Sequence, residues 1–491
     1  MKSIKYKLYN LLGIVFILFI SCEGELDPEV FDKLSPSNYF QNAEDAKTAV
    51  TGVYSKVLEE YNRDFNARSP MMLNVSTTDE FDCAWRNTTW ETYRKFLWTA
   101  STNLTTDVYS RFVKGISNCV GTIAQIEPIK MDETLKARYI AELRAIIGLS
   151  AYTLYDFYGP TAIVTDPEIV LDPTSDFNPE KPTKEWMINF IQTEARASAN
   201  ALPVSYGSQD YGRVTKGTAL TVLLKLAMHE KDWEEAVTIS QEIMDLKYYE
   251  LQSSYISIFA VSNEQNKEII QALPRNVSDH SNGWLAGVLP SEYVEPNGIP
   301  VQKWNGYKVP WDMFAKYEDT DKRLEALWAK MNTKDGIIDI RTLDASWVQY
   351  GAIPYKYSAD PAGTGVDHGN DVVVFRYADI LLLRAEALNN LNGPNQESID
   401  LINMIRNRSE ATPISLDQFS DQQSLDDYIL DERFRELFLE GYRRQDLIRH
   451  GKFLSEAARR GAPAYDDHFL LFPIPQAVID ENPKIQQNPG Y

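Results

Sequence analysis

Two stretches of the chain combine tryptophan with the polar side chains that bind sugars. Sugars present C–H faces that stack on aromatic rings, and their hydroxyls pair with planar polar groups such as Asp, Asn and Arg. The predicted ligand-binding residues in the first stretch, residues 71–102, are Asp79, Trp85, Arg86, Asn87, Trp90 and Trp98. Those in the second stretch, residues 283–311, are Trp284, Tyr293 and Trp304. For any single tryptophan, an anchor inside the protein is an equally good interpretation.

The chain contains little else that could do chemistry. Its five histidines form no metal-binding or catalytic spacing, and the HExxH, GxSxG, CxxC and P-loop patterns do not occur. Carboxylates are adjacent at Asp79 and Glu80, but such pairs mean little among 70 acidic residues. Cys83 and Cys119 are too few and too far apart for a zinc site, and the sequence leaves their pairing undecided. The prediction is a binding protein without cofactor or metal, and a surface hydrolase is the disfavoured alternative.

Composition restricts the choice of partner. The chain has 491 residues, is 44% hydrophobic and carries a formal net charge of -21. It can therefore bury a large core, and disorder is not indicated. An acidic surface repels phosphate backbones, which argues against nucleic acid as a partner.

The N-terminus has the composition of a secretory signal. Three lysines precede an apolar run at residues 11–20, which is too short to span a bilayer. Cys22 follows almost directly, and an acidic tract comes after it. This order resembles the lipobox of bacterial lipoproteins, in which the cysteine becomes the lipidated first residue. The prediction is a signal peptide at 1–21, a lipid anchor at Cys22 and a tether at 22–42.

Much of the remaining chain has the periodicity of paired helices. In residues 212–251, apolar residues recur at three- and four-residue steps on both sides of a short polar break. This pattern predicts an antiparallel hairpin like those of tetratricopeptide repeats. Similar pairs predict a mainly α fold with helical regions at 43–254 and 371–491. Between them, Gly, Pro, Asn and Trp dominate residues 255–370, which predicts an irregular, loop-rich inserted subdomain.

Two sets of residues receive a structural interpretation. Residues 432–443 predict a helix with one apolar face and a charged face whose residues form ion pairs that fix the helix. These charged residues are Glu432, Arg435, Glu436, Glu440 and Arg443. Three tryptophans are predicted to be core because they occur within helical patterns: Trp186, Trp233 and Trp328.

Several ordered motifs together resemble those of one family. Residues 140–160 read IAELRAIIGLSAYTLYDFYGP, and residues 375–389 read FRYADILLLRAEALN. Residues 432–451 read ERFRELFLEGYRRQDLIRHG, and residues 471–491 end the chain with LFPIPQAVIDENPKIQQNPGY. With the hairpin described above, these segments resemble the SusD/RagB family of surface nutrient-binding lipoproteins. The resemblance extends over almost the whole chain.

The resemblance implies a function that the residues alone do not. It implies an outer-membrane protein that faces the cell exterior and touches the membrane only through its lipid. It also implies that an oligosaccharide is captured and passed to a SusC/RagA-like TonB-dependent transporter. Glycan-binding members of the family build their site from the two aromatic stretches together. A peptide-capturing member of the same family is the alternative.

Overall fold

The computed structural model describes residues 39–58, 69–462 and 466–491, and it is mainly helical. The predicted signal peptide, Cys22 and most of the predicted tether lie outside these residues. Across the three described ranges, no helix has the length and apolar character needed to cross a membrane.

The helices of the first half of the chain are α1 Ala43–Val53, α2 Pro70–Ser76, α3 Thr88–Arg94, α4 Asn103–Ile126, α5 Glu133–Tyr158, α6 Pro167–Leu171, α7 Lys184–Ala201, α8 Lys216–Glu230 and α9 Trp233–Asp245. Those of the second half are α10 Trp284–Val288, α11 Trp311–Phe314, α12 Tyr377–Asn392, α13 Gln396–Arg408, α14 Gln422–Leu437, α15 Arg443–Arg449, α16 Phe453–Arg459 and α17 Gln476–Glu481. The strands are β1 Asp82–Cys83, β2 Ile269–Leu273, β3 Tyr307–Lys308, β4 Lys330–Thr333, β5 Gly336–Asp339 and β6 Val372–Arg376.

The predicted hairpin at 212–251 is confirmed as α8 and α9. Only Lys231 and Asp232 separate the two helices; Lys231 has φ 57°, and the Asp232 side chain accepts a hydrogen bond from the Glu235 backbone N–H. Gly217 lies where a Cβ would be 2.1 Å from the Tyr249 hydroxyl oxygen, so a larger residue would push Tyr249 away. A glycine here allows the segment after α9 to pack against the start of α8.

The helices pack in series, as a stack of tetratricopeptide-like pairs does. In chain order, α4 packs on α5, α5 on α7, α7 on α8 and α8 on α9; α9 then packs on α12, which contacts both α13 and α14. Two helices lie at the centre of this body, because α5 from Ala141 onward and α12 from Tyr377 to Asn389 are buried on nearly all sides. A helix that is apolar all round belongs inside a larger body, and these two form its core.

The segment between the helical regions is irregular, as the sequence predicts. It contains short 3₁₀ turns, the brief helices α10 and α11, and the hairpin of β4 and β5. Strand β2, near the start of this segment, pairs with β6, which lies just after the end of the segment. The two strands form an antiparallel ribbon with Leu273 opposite Val372. The division of the chain at residues 254 and 370 stays a proposal, since this ribbon connects segments on both sides of the second boundary.

The stretch 71–102 is rich in Trp, Asn, Thr and Asp and poorly periodic, which predicts a long loop. The structure corrects this prediction, because the stretch contains most of α2 and all of α3. Ser69 caps α2 by accepting from the Met72 N–H, and Asn87 caps α3 by accepting from the Trp90 N–H. Six of the seven α2 residues are buried, so the helix lacks the polar face that would give it a readable periodicity.

The helix predicted over residues 432–443 ends earlier, at Leu437. Phe438 has an extended ψ of 135°, and Leu439 and Gly441 have φ values of 57° and 86°. The chain turns there and begins α15 at Arg443. Apolar spacing continues through this turn because Phe438 and Leu439 are themselves buried, which explains the error.

The five charged residues of this segment are buried, which supports their interpretation as structural ion pairs. Glu432 accepts from Arg323 Nη1 at 2.7 Å, which ties α14 to the irregular subdomain. Glu436 accepts from Arg376 Nη1 at 2.6 Å, which ties α14 to the end of β6. The predicted charged face is therefore an internal face.

The prediction that Trp186 is a core residue is wrong. Its side chain is 41% exposed and stacks on Phe190, one turn further along α7, with ring centroids 5.2 Å apart. Trp233 is half-buried at the start of α9. Trp328 is also half-buried but belongs to no helix; it stacks on Tyr355 at 3.7 Å.

Candidate functional site

Strands β1 and β3 bring the two aromatic stretches together. Asp82 pairs with Lys308 and Cys83 with Tyr307 in an antiparallel register. The pairing continues beyond the strands, because the Ala84 N–H donates to the Gly306 carbonyl at 2.8 Å. The Trp85 indole N–H then donates to the carbonyl of Trp304 at 2.6 Å. Two segments more than 200 residues apart are thus joined at a single edge.

Behind this edge, aromatic rings form a packed cluster around Tyr307. Trp85 lies 5.1 Å from Tyr307 between ring centroids, Trp90 lies 5.3 Å away and Trp284 lies 5.9 Å away. Such tilted and edge-on arrangements are the favoured ones for aromatic pairs. Trp90, Trp284 and Tyr307 are buried, whereas Trp85 is half-buried. The cluster is a rigid base with one accessible edge.

The accessible side of the cluster carries an indole, a guanidinium and a phenol. Trp304 is 48% exposed, and its backbone is fixed by an N–H bond to the Ala286 carbonyl at 2.7 Å. Next to Trp85, the Arg86 guanidinium lies over the ring of Tyr350, 4.1 Å from its centroid. We name Trp85, Arg86, Trp304 and Tyr350 the aromatic patch. It presents flat apolar surfaces beside charged N–H donors.

Salt bridges hold Arg86 in place. Its Nη1 donates to Glu91 at 2.6 Å, and the guanidinium also contacts Asp82 at 3.3 Å. Partial burial alone would raise the pKa of Glu91, but hydrogen bonds from Arg94, Arg86 and Lys95 outweigh it and lower that pKa to about 2. Glu91 therefore stays ionised, and the charge pattern of the aromatic patch does not change near neutral pH.

Five predicted site residues are placed elsewhere or have structural partners. The Asp79 carboxylate is buried and accepts two bonds of 2.8 Å from Arg443. The buried Trp98 donates its indole N–H to the Tyr491 hydroxyl, under the C-terminal tail. Trp284 is 1% exposed and donates to the Pro354 carbonyl.

Tyr293 is also buried, and Asn87, although exposed, uses its side-chain oxygen to cap α3. The structure does not bring Asp79, Trp98, Trp284 or Tyr293 within reach of a ligand at the surface. Of the predicted residues, Trp85, Arg86, Asn87 and Trp304 are accessible, and Trp90 supports them from below.

Tyr350 is the patch residue that the sequence analysis misses. It ends a 3₁₀ turn, Ser346–Tyr350, outside both predicted stretches. The available signal is weak: residues 346–351 read SWVQYG, two aromatics and a glycine within an irregular segment. Only the folded chain shows that this turn lies against Arg86.

Within the described ranges, no three His, Cys, Asp or Glu side chains are grouped so that they could hold a metal ion. Cys83 and Cys119 are both free and buried, which answers the question of their pairing. A cavity of about 60 Å³ lies in the helical body, away from the aromatic patch, and its lining includes the ion-paired residues Lys225 and Arg433. It has room for a few water molecules only.

Comparison with known proteins identifies the family. The sequence profile of the SusD family matches residues 339–464. A SusD-like protein of Formosa agariphila is 24% identical over 99% of this chain and 100% of its own length. The starch-binding protein SusD of Bacteroides thetaiotaomicron is 24% identical over 86% of this chain and 85% of its own. The profile match and these relatives together support the SusD/RagB family for this chain.

Solved structures of SusD-like proteins have the same fold. Surface glycan-binding protein A from Bacteroides thetaiotaomicron, in complex with laminarihexaose, superposes with a TM-score of 0.74 at 20% identity. The alignment covers 91% of this chain and 100% of the other. The mainly α, tetratricopeptide-like architecture predicted from the sequence is thereby confirmed.

Proposed function

We propose that this protein captures a glycan on the aromatic patch and delivers it to a TonB-dependent transporter of the SusC/RagA type. The observation that carries the proposal is Trp304, whose indole is 48% exposed and whose carbonyl oxygen accepts from Trp85 at the edge of the aromatic cluster. A sugar ring can cover the exposed face of such an indole with its C–H face. Named relatives support the proposal, since they include a starch-binding protein and a glycan-binding protein with bound laminarihexaose.

The chemistry of the patch favours sugar over peptide. A pyranose covers an indole with its C–H face and keeps its hydroxyls at the rim, where Arg86 and the Asn87 amide nitrogen are available as donors. Arg86 is already oriented by Glu91, so little side-chain entropy is lost on binding. A peptide site would need backbone partners in a groove, whereas the aromatic patch lies on an outer edge.

We expect Trp304→Ala to weaken glycan binding by roughly 30-fold, equivalent to about 2 kcal/mol for a stacking hot spot. Because the ring is half-exposed, the free energy of unfolding should change by less than about 1 kcal/mol. Isothermal titration with laminarihexaose and a panel of soluble polysaccharides would give the affinity, and urea unfolding would give the stability.

Trp186→Ala is a matched control, because Trp186 is another exposed tryptophan (41%) on a different part of the molecule. It should bind glycan as the wild type does. If Trp304→Ala also binds as the wild type does, the aromatic patch is not the site. If the wild type retains a peptide mixture and none of the glycans, the peptide-capturing alternative holds instead.

We further propose that Cys22 carries the lipid and holds the protein at the outer membrane, facing outward. The short apolar run before this cysteine and the acidic tract after it support the proposal. Several acyl chains on one residue give stable attachment where one alone does not. Cys22→Ala should therefore move the protein from the outer-membrane fraction to the soluble fraction or leave it unprocessed, as followed by fractionation and fatty-acid labelling.

The same cells test the transporter. A lipid tether confines binder and transporter to one surface and so raises their effective concentration. The tagged wild-type protein, extracted in mild detergent, should bring a large β-barrel protein with it, and Cys22→Ala should bring less. Isolation of the wild-type protein alone would contradict delivery to a stable partner while leaving glycan capture intact.

A further inference from the structure

A second cleft lies where the ends of four helices of the body meet. Trp233 begins α9, Asn390 lies near the end of α12, Gln422 begins α14, and His450 follows α15. These residues and their neighbours enclose a volume of about 350 Å³, within the roughly 300–1,000 Å³ typical of small-molecule pockets. We name it the Trp233 cleft. It shares no residue with the aromatic patch.

The side-chain amide nitrogens at the cleft donate to oxygens of neighbouring side chains. Asp426 Oδ1 accepts from Asn389 at 2.7 Å and from Asn390 at 3.1 Å. The Gln422 amide nitrogen donates to Asn390 Oδ1 at 3.0 Å, and the Gln423 amide nitrogen donates to Asp427 at 2.9 Å. These bonds fix the rotamers of the lining side chains before any ligand arrives.

Several acceptors are left over by this network. In the part of the chain that the structure describes, Asp426 Oδ2 and the side-chain oxygens of Gln422 and Gln423 have no hydrogen-bond donor. The indole N–H of the half-buried Trp233 has no acceptor there either. The His450 side chain is 4% exposed; its Nε2 lies 3.2 Å from Glu386 but forms no aligned hydrogen bond. The cleft thus offers three oxygen acceptors, the indole donor and the ammonium group of the lining residue Lys231.

This combination matches a polyhydroxylated ligand. Each sugar hydroxyl is both donor and acceptor, so adjacent hydroxyls can serve the oxygens of Gln422, Gln423 and Asp426. The indole of Trp233 provides an apolar wall and a donor. Two of the three available oxygens are neutral amides, which favours a neutral ligand over a cation.

We propose that the Trp233 cleft is a second saccharide-binding site, which takes one or two sugar rings from a glycan. The proposal rests on the proposed glycan capture, since it assigns a further site for the same class of ligand. Two sites on one molecule retain a long chain better than either alone, because the second contact is made at a high effective concentration.

The experiment measures binding of laminarihexaose and maltohexaose to the full mature chain in a Trp304→Ala background, where the aromatic patch is weakened. We expect residual binding with a Kd on the order of 1 mM, detected by NMR or titration calorimetry. Adding Gln422→Ala and Gln423→Ala should reduce it by about tenfold or more. Both glutamines are exposed at the start of α14, so the fold should be retained. Trp233→Phe, which keeps a ring against the core, should also weaken binding.

The outcomes separate this proposal from the preceding one. If Trp304→Ala alone abolishes binding, the second site is refuted and capture at the patch stands. Residual binding that the glutamine variants do not change refutes the second site as well. If Trp304→Ala has no effect and the glutamine variants remove binding, the cleft is the glycan site and the patch is not. Saturable binding of ethylamine in place of both sugars identifies a cation site and overturns the proposal.

Discussion

Replacing Arg376 by methionine should lower the free energy of unfolding by about 3–5 kcal/mol, the usual cost of removing one partner from a buried ion pair. Arg376 is fully buried at the end of β6. Its guanidinium makes five hydrogen bonds: two to Glu440, one to the Glu436 carboxylate, one to the Glu436 carbonyl and one to Glu268. Methionine fills a similar volume and has none of these donors.

The cost is large because the carboxylates stay behind. Glu268 and Glu436 have side chains with 0% exposure, so water cannot replace the lost donors. Arg408 also contacts both of them, which prevents either from being left wholly without a cation. Urea unfolding followed by circular dichroism would give the free-energy difference.

Arg459→Met is the matched control, because Arg459 makes a 2.7 Å pair with Asp312 in which both side chains are about half exposed. Exposed pairs contribute little, so this variant should lose less than about 1 kcal/mol. Equal losses in the two variants would show that burial does not set the energy of the Arg376 network.

Long helices with recognisable ends can be predicted from this sequence, whereas a short buried helix cannot. The hairpin of α8 and α9 has a polar break and capping residues, so its bounds follow from local chemistry. In contrast, α2 is buried almost throughout and has no alternation to read. Local sequence also does not reveal the turn at Leu439, since the residues on both sides of it are equally apolar.

The candidate site was only partly predictable for a related reason. Tryptophan suits a ligand platform and a core anchor equally, and its role depends on which segments pair with its own. Trp304 and Trp284 occur in one stretch, yet the first is 48% exposed and the second 1%. The contact of β1 with β3 decides between them, and that contact joins residues far apart in sequence. Tyr350 could be assigned only after the same contact was known.

Replacing Gly351 by alanine should destabilise the protein by roughly 3 kcal/mol or more, and should also weaken the glycan site. Gly351 has φ 136° and ψ -168°, a region that only glycine readily adopts and that costs other residues about 1–3 kcal/mol. A Cβ there would lie 1.9 Å from the Val309 carbonyl oxygen, which itself accepts from the Ala352 N–H at 2.8 Å. The backbone must therefore separate at this bridge, which moves the adjacent Tyr350 away from Arg86.

Gly393→Ala is the control that separates the cost of the steric clash in Gly351→Ala from the cost of its unfavourable backbone conformation. Gly393 has φ 72° and ψ -170°, and nothing lies within 4 Å of the position its Cβ would take. This variant should show the strain cost alone, about 1–3 kcal/mol, and bind glycan as the wild type does. Unfolding in urea and titration with laminarihexaose would be measured on both variants. If Gly351→Ala and Gly393→Ala lose similar stability, the backbone near Val309 moves at little cost to make room for the Cβ. If Gly351→Ala binds glycan with unaltered affinity, Tyr350 contributes nothing to the aromatic patch.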